Sequence, residues 1–128
     1  MDYYFSRTLT TKFEDAVSRA TEALKQEGFG VISDIDVAAT LRAKLGVDFR
    51  NYRILGACNP ALAYEALQLE DKIGLMLPCN VIVQERSEGY VEVAVIDPVA
   101  SMLAIDNAGL KQAAATVRAK LEAAIARL

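Results

Sequence analysis

Cys79-Asn80-Val81-Ile82-Val83-Gln84-Glu85-Arg86, Ser87-Glu88-Gly89, then Tyr90-Val91-Glu92-Val93-Ala94-Val95-Ile96 reads as two strands folded back on each other. Val91, Val93 and Val95 share one face of the second strand, while Tyr90, Glu92 and Ala94 share the other, the two-residue period of a half-buried strand. Ser87-Glu88-Gly89 supplies the turn. A hairpin this regular, with helical patterns on both sides of it, favours an α+β sandwich in which a largely antiparallel sheet is covered by helices.

Outward from the hairpin the same reasoning assigns the remaining elements. Tyr3–Leu9, aromatic and Thr-containing, reads as a strand. Thr11-Lys12-Phe13-Glu14 has the form of a capping box, and Phe13, Ala16, Val17, Ala20 and Leu24 follow at helical spacing until Gly28 supplies a left-handed stop. A strand over Phe29–Ile35 leads to a short helix, Val37–Leu45, capped by Asp36, ended by Gly46 and striped by Val37, Leu41 and Leu45. Tyr52–Ala57 reads as a strand. Asn59-Pro60 starts a helix to Leu69, since Asn caps and Pro fits the first turn. Ile73–Leu77 reads as a strand segment separated by Pro78 from the one at Cys79. Asp97-Pro98 ends the hairpin, and Asn107–Leu128 forms a helix with Leu110, Ala114, Val117, Leu121, Ile125 and Leu128 along one stripe. The order is β-α-β-α-β-α-β-β-α.

The chain has 128 residues, 53% hydrophobic and 24% charged, with fourteen Lys/Arg against seventeen Asp/Glu. That size is one ordinary domain, residues 1–128, able to bury a core without a disulfide or metal staple. A net charge of −3 and a pI near 5.0 argue against nucleic-acid or anionic-membrane partners, which select clustered positive charge. The sequence contains no His, which excludes Ser–His and Cys–His catalysis and every His-ligated metal. Met1-Asp2-Tyr3-Tyr4-Phe5 does not read as a leader, and no apolar run approaches the ~20 residues of a membrane span, so a cytoplasmic location is expected. Two Cys in a reducing compartment are expected as thiols.

Three motifs occur in order: Tyr52-Arg53-Ile54-Leu55-Gly56-Ala57-Cys58-Asn59-Pro60, then Ile73-Gly74-Leu75-Met76-Leu77-Pro78-Cys79-Asn80-Val81, then Asp97-Pro98. They resemble the small bacterial and archaeal family known as domain of unknown function 302, across essentially the whole chain. The resemblance implies a compact α+β fold similar to the TATA-binding-protein-like architecture. It implies no established reaction.

The chemistry worth weighing lies in the two Cys-Asn motifs. Cys58 precedes a helix N-terminus, where the positive end of the helix dipole favours negative charge. Cys79 follows Pro78 on a strand, and the two thiols would stand level if their strands were parallel neighbours. Three readings follow. One is a non-enzymatic binding domain that holds a small ligand or a soft metal, Cu(I) or a shared zinc, near Cys58, Asn59, Cys79 and Asn80. Two thiolates are too few for a closed structural zinc site. The second is a thiol–disulfide redox protein using Cys58 and Cys79. The third is a structural or interaction domain without a small-molecule site, its two cysteines being buried small hydrophobes. No catalytic residue is assigned. Asn59 as a helix cap, and Asn80 as a partner for backbone beside Pro78, are the plain alternatives to ligand contacts.

Two further features carry less. Arg42, Lys44, Arg50 and Arg53 with Phe49 and Tyr52 form a basic-aromatic cluster, interrupted by Asp48, that reads as solvated surface in preference to an anion site. The Ala-rich last helix packs on its own sheet or forms a homodimer contact.

Overall fold

The structure, a computed structural model, describes residues 2–128. Met1, the first residue of the stretch read for a leader, lies outside them. Five strands, β1 (Tyr4–Thr10), β2 (Gly30–Asp36), β3 (Tyr52–Cys58), β4 (Cys79–Ser87) and β5 (Tyr90–Ile96), form one sheet in the order β1-β5-β4-β3-β2. Every neighbouring pair is antiparallel. The helices are α1 (Phe13–Gln26), α2 (Val37–Leu45), α3 (Pro60–Leu69), the one-turn α4 (Pro98–Ser101) and α5 (Ala108–Ala126). This is the α+β class expected from the hairpin. None of these helices is long and apolar enough to cross a membrane.

The pleat sorts the sheet into two faces. Val81, Val83, Val91, Val93 and Val95, each at most 1% exposed, point to the face on which α1 and the second half of α5 lie, together with Leu9, Leu55 and Leu121. On the other face Asn80 stands opposite Gly56, Ile82 opposite Ile54 and Ala94, and Gln84 opposite Tyr52 and Glu92. Beyond the end of the sheet a second, smaller cluster gathers Ala66, Ile73, Met102, Leu110 and Ala114. The two clusters are joined by α5, which contributes Leu110 and Ala114 to one and Leu121 and Ala124 to the other.

Asp36 and Asn59 cap their helices by accepting from the Ala39 and Leu62 N–H groups, and Gly28 and Gly46 close theirs at φ 87° and 66°. Three expectations are corrected. The capping box at Thr11 does not form: Lys12 is the N-cap and makes no side-chain cap bond. The Thr11 N–H is committed to the Gly89 carbonyl across the β4–β5 turn, and the Glu14 carboxylate turns outward to Arg53 at 3.2 Å. Ile73–Leu77 is not a strand but a 3-10 turn over Ile73–Met76. One turn suffices to drive Ile73 into the second cluster at 0% exposure while leaving Leu75 85% exposed, and Pro78 lacks the N–H that a ladder would need. The stripe of α2 buries nothing; Leu45 at its end is exposed.

Candidate functional site

A cavity of about 290 Å³ lies at the seam between the two apolar clusters. Phe29, Ala57 and Cys79 from the larger cluster form one side of it; Ala66, Met102 and Leu110 from the smaller form the other. Leu62, Ala63 and Leu67 of α3 also border it, as do Cys58 and Asn59 at the β3–α3 junction. Ile32 and Leu67, 66% and 43% exposed, mark its rim.

The seam exists because α3 is held at its ends rather than along its length. Of its ten residues only Ala66 is buried. At the start, the Asn59 amide lies over Gly28: a Cβ on that glycine would sit 2.9 Å from Asn59 Nδ2. Gly28 is therefore required twice, for its positive φ and for the space above it. At the other end Asn107 donates from Nδ2 to the Leu69 carbonyl at 2.9 Å while its Oδ1 accepts from the Leu110 N–H at 3.0 Å. This one side chain ties the last carbonyl of α3 to the first turn of α5. Between these clamps Leu62, Ala63 and Leu67 border the space without filling it.

The four candidate residues separate. Cys58, Asn59 and Cys79 border the cavity; Asn80 does not. Successive strand residues point to opposite faces, so Cys79 faces inward and Asn80 lies on the far side of the sheet, in a groove with Tyr52 and Gln84. The parallel arrangement that would have levelled the thiols is absent. β3 and β4 are antiparallel, and the register sets Cys79 opposite Ala57, not Cys58. Cys58, the next residue along β3, projects from the other side of its strand. The thiols do not face each other, and both are free. The expectation of a paired dithiol, as metal site or redox switch, is corrected on this geometry. Among the described residues no three Cys, Asp or Glu side chains come together as a ligand set.

Burial separates the cysteines further. It pushes the Cys79 thiol up from 9.0 to about 11, with the nearby Cys58 charge adding to the effect. Cys79 is thus a neutral thiol at physiological pH, neither a ready nucleophile nor a ready soft ligand. Its ionisation is linked to folding. The raised folded value means that its contribution is fully present below pH 9 and is lost as pH rises toward 11, about 2 kcal/mol over the interval. Urea unfolding at pH 8 and pH 10.5 should show wild type losing about that much more stability than Cys79→Ala. Equal losses would place the thiol in water.

Three of the four cations in the basic-aromatic cluster, Arg42, Arg50 and Arg53, are engaged by local partners. Arg42 pairs with Asp48 at 2.6 Å. Arg50 lies over Phe49, 4.4 Å from the ring centroid, and donates to Gln84 Oε1 at 2.9 Å. Arg53 holds Asp34 through two hydrogen bonds, which keep the Asp34 carboxyl below its ordinary value. In the last helix, Ala113, Ala114 and Ala124 are buried inside the chain, while Ala115, Ala119 and Ala126 are exposed.

Asp97, 5% exposed, supports the cavity from outside. Its Oδ1 accepts from the Val99 N–H at 3.0 Å and its Oδ2 from Arg118 Nε at 3.2 Å, fixing α4 against α5. That places Pro98 and Met102 in the cavity wall. In the sequence Asp97-Pro98 reads as the end of a strand and as the third motif of the family resemblance, with no link to a cavity. The cavity itself had one sequence-level sign, the composition of α3: Pro60-Ala61-Leu62-Ala63-Tyr64-Glu65-Ala66-Leu67-Gln68-Leu69 is apolar on nearly every side, and a helix of that kind needs cover all round.

No curated protein matches the chain. A crystal structure of an uncharacterised conserved DUF302 protein from Bacillus stearothermophilus is similar to it at 30% identity, over 99% of this chain and 98% of that one, with a TM-score of 0.90. The family described as domain of unknown function DUF302 matches residues 5–128, and the chain, with its seam between two apolar clusters, belongs to that family.

Proposed function

We propose that the protein binds a small apolar molecule in the cavity between α3, α5 and the ends of β3 and β4. The observation that carries this reading is the cavity itself: about 290 Å³ with walls of Phe29, Ala57, Leu62, Ala66, Met102 and Leu110. An apolar cavity gives water few partners and accepts apolar guests instead; one of about 150 Å³ holds benzene. Roughly twice that volume accommodates a molecule of about 10–12 non-hydrogen atoms. The exposed rim at Ile32 and Leu67 offers a way in.

Butylbenzene is a suitable probe. Titrated into the protein, it should give saturable NMR shifts of the Ala63, Ala66 and Ala113 methyl groups, and at about 100 times its Kd it should stabilise the fold by about 2.7 kcal/mol. Ala113→Leu and Ala63→Leu both place a larger side chain in the cavity and should abolish the shifts. Wild type without saturable shifts, or shifts that persist in both folded variants, would end the proposal.

A further inference from the structure

The polar groups at the cavity indicate which kind of guest it takes. Resting on the ligand-binding reading above, we infer that the ligand is a neutral molecule carrying a hydrogen-bond acceptor, of the ketone, aldehyde, ester or amide class, whose oxygen accepts from the side-chain amide of Asn59.

The lining contains no Lys, Arg, Asp or Glu. A charged group drawn in would lose its water with no opposite charge to meet it, an outcome that strongly disfavours ions. The polar side chains that border the cavity are Asn59, Cys58 and Cys79, and a thiol is only a weak donor. Asn59 is therefore the group able to orient a guest.

Its two ends are not equivalent. The Leu62 N–H can only donate, so the atom that it meets at 3.3 Å is the Asn59 oxygen, which fixes the other end as the NH2 group. Among the described residues no protein acceptor receives a hydrogen bond from that NH2 group, whereas the bond to Oδ1 is made. The Asn59 side chain thus offers two free donors, while its oxygen already has one of its two lone pairs engaged by Leu62. A carbonyl oxygen matches this better than a hydroxyl or amine hydrogen does. The ten-residue helix α3 begins at the next residue, and its positive end further favours the negative end of a carbonyl dipole.

The test uses guests of nearly the same shape: butylbenzene, 1-phenylbutan-1-one, 1-phenylbutan-1-ol and 4-phenylbutyrate. Dissociation constants are measured by NMR titration on wild type, Asn59→Asp and Asn59→Ala. Asn59→Asp keeps the cap acceptor for Leu62 and removes the donor; Asn59→Ala removes both without adding charge. In wild type the ketone should bind about fivefold tighter than butylbenzene, the value of one net hydrogen bond, and tighter than the alcohol and the carboxylate. In both variants the ratio of ketone to butylbenzene affinity should fall to about one. Butylbenzene binding with no ketone preference, or with a preference that survives in both variants, overturns the assignment to Asn59 and leaves apolar binding intact. Carboxylate binding at least as tight as the ketone's overturns the neutral class. Failure of every guest to bind wild type overturns the ligand-binding reading together with this inference.

Discussion

Replacing Asp97 with alanine is expected to destabilise the fold by about 2–4 kcal/mol, a change in thermal midpoint on the order of 10 °C for a domain of this size. The carboxylate serves two partners at once, the Val99 N–H and Arg118 Nε, and is 5% exposed. Loss of the cap alone costs about 1 kcal/mol. Removing one partner of a fully buried ion pair costs about 3–5 kcal/mol. Here the Arg118 side chain is 44% exposed, so water takes up part of its charge and the expected cost is lower. Its guanidinium also rests 5.2 Å from the centroid of the Phe5 ring, an attachment that survives the substitution. Asp97→Asn keeps one oxygen, enough for the Val99 cap, but replaces the oxygen that faces Arg118 with an NH2 donor and loses the charge, so it should fall between wild type and alanine. Urea unfolding of the three proteins gives the ranking directly. An alanine variant within about 0.5 kcal/mol of wild type would show that α4 is held by its apolar contacts alone.

Gly56→Ala should be nearly as damaging, about 3 kcal/mol, for a different reason. Gly56 lies on the interior strand β3, where an added Cβ would overlap Ser33 Oγ and stand 2.7 Å from Pro78 Cγ. The serine hydroxyl can rotate away; the proline ring at the start of β4 cannot. Relief must come from moving the β3–β4 junction, which carries Cys58 and Cys79 at the cavity. The double variant Ser33→Ala with Gly56→Ala should recover only part of the loss, since the ring remains in place. Full recovery would assign the whole conflict to the hydroxyl.

Much of the architecture could be read in the chain because local chemistry and tertiary demand agree there. Tyr90–Ile96 alternates apolar and polar residues, and both of its faces are used as the alternation requires. Asp36, Asn59 and Asn107 precede helices that they do cap. The reading failed where a residue had a distant claim upon it. Thr11 and Glu14 form a capping box by spacing, but one is engaged by Gly89 and the other by Arg53, neither of which is near in sequence. Ile73 to Met76 are β-compatible residues made to turn by the demand for one deep anchor. The candidate site shows the same limit. Three of its four residues border one cavity, because Cys58, Asn59 and Cys79 all lie where β3 ends and β4 begins. Asn80 was lost to the pleat, since adjacency in sequence means opposite faces on a strand. The cavity left only an indirect sign, the apolar composition of α3. It lies where α3, packed on α5 through Ala66 and tied to it by Asn107, leaves space beside Leu62, Ala63 and Leu67, and open space leaves no motif.

The continuity of α5 through both clusters makes it a lever. Leu121 sits deep in the larger cluster at 0% exposure and Leu110 in the smaller at 1%. Eleven residues of helix separate them, about 16 Å. With Leu121 as fulcrum, a tilt of about 4° would displace the Leu110 end by about 1 Å and so alter the width of the cavity. Looser seating of α5 among the valines of β4 and β5 would thus be felt at the cavity, at the other end of the helix.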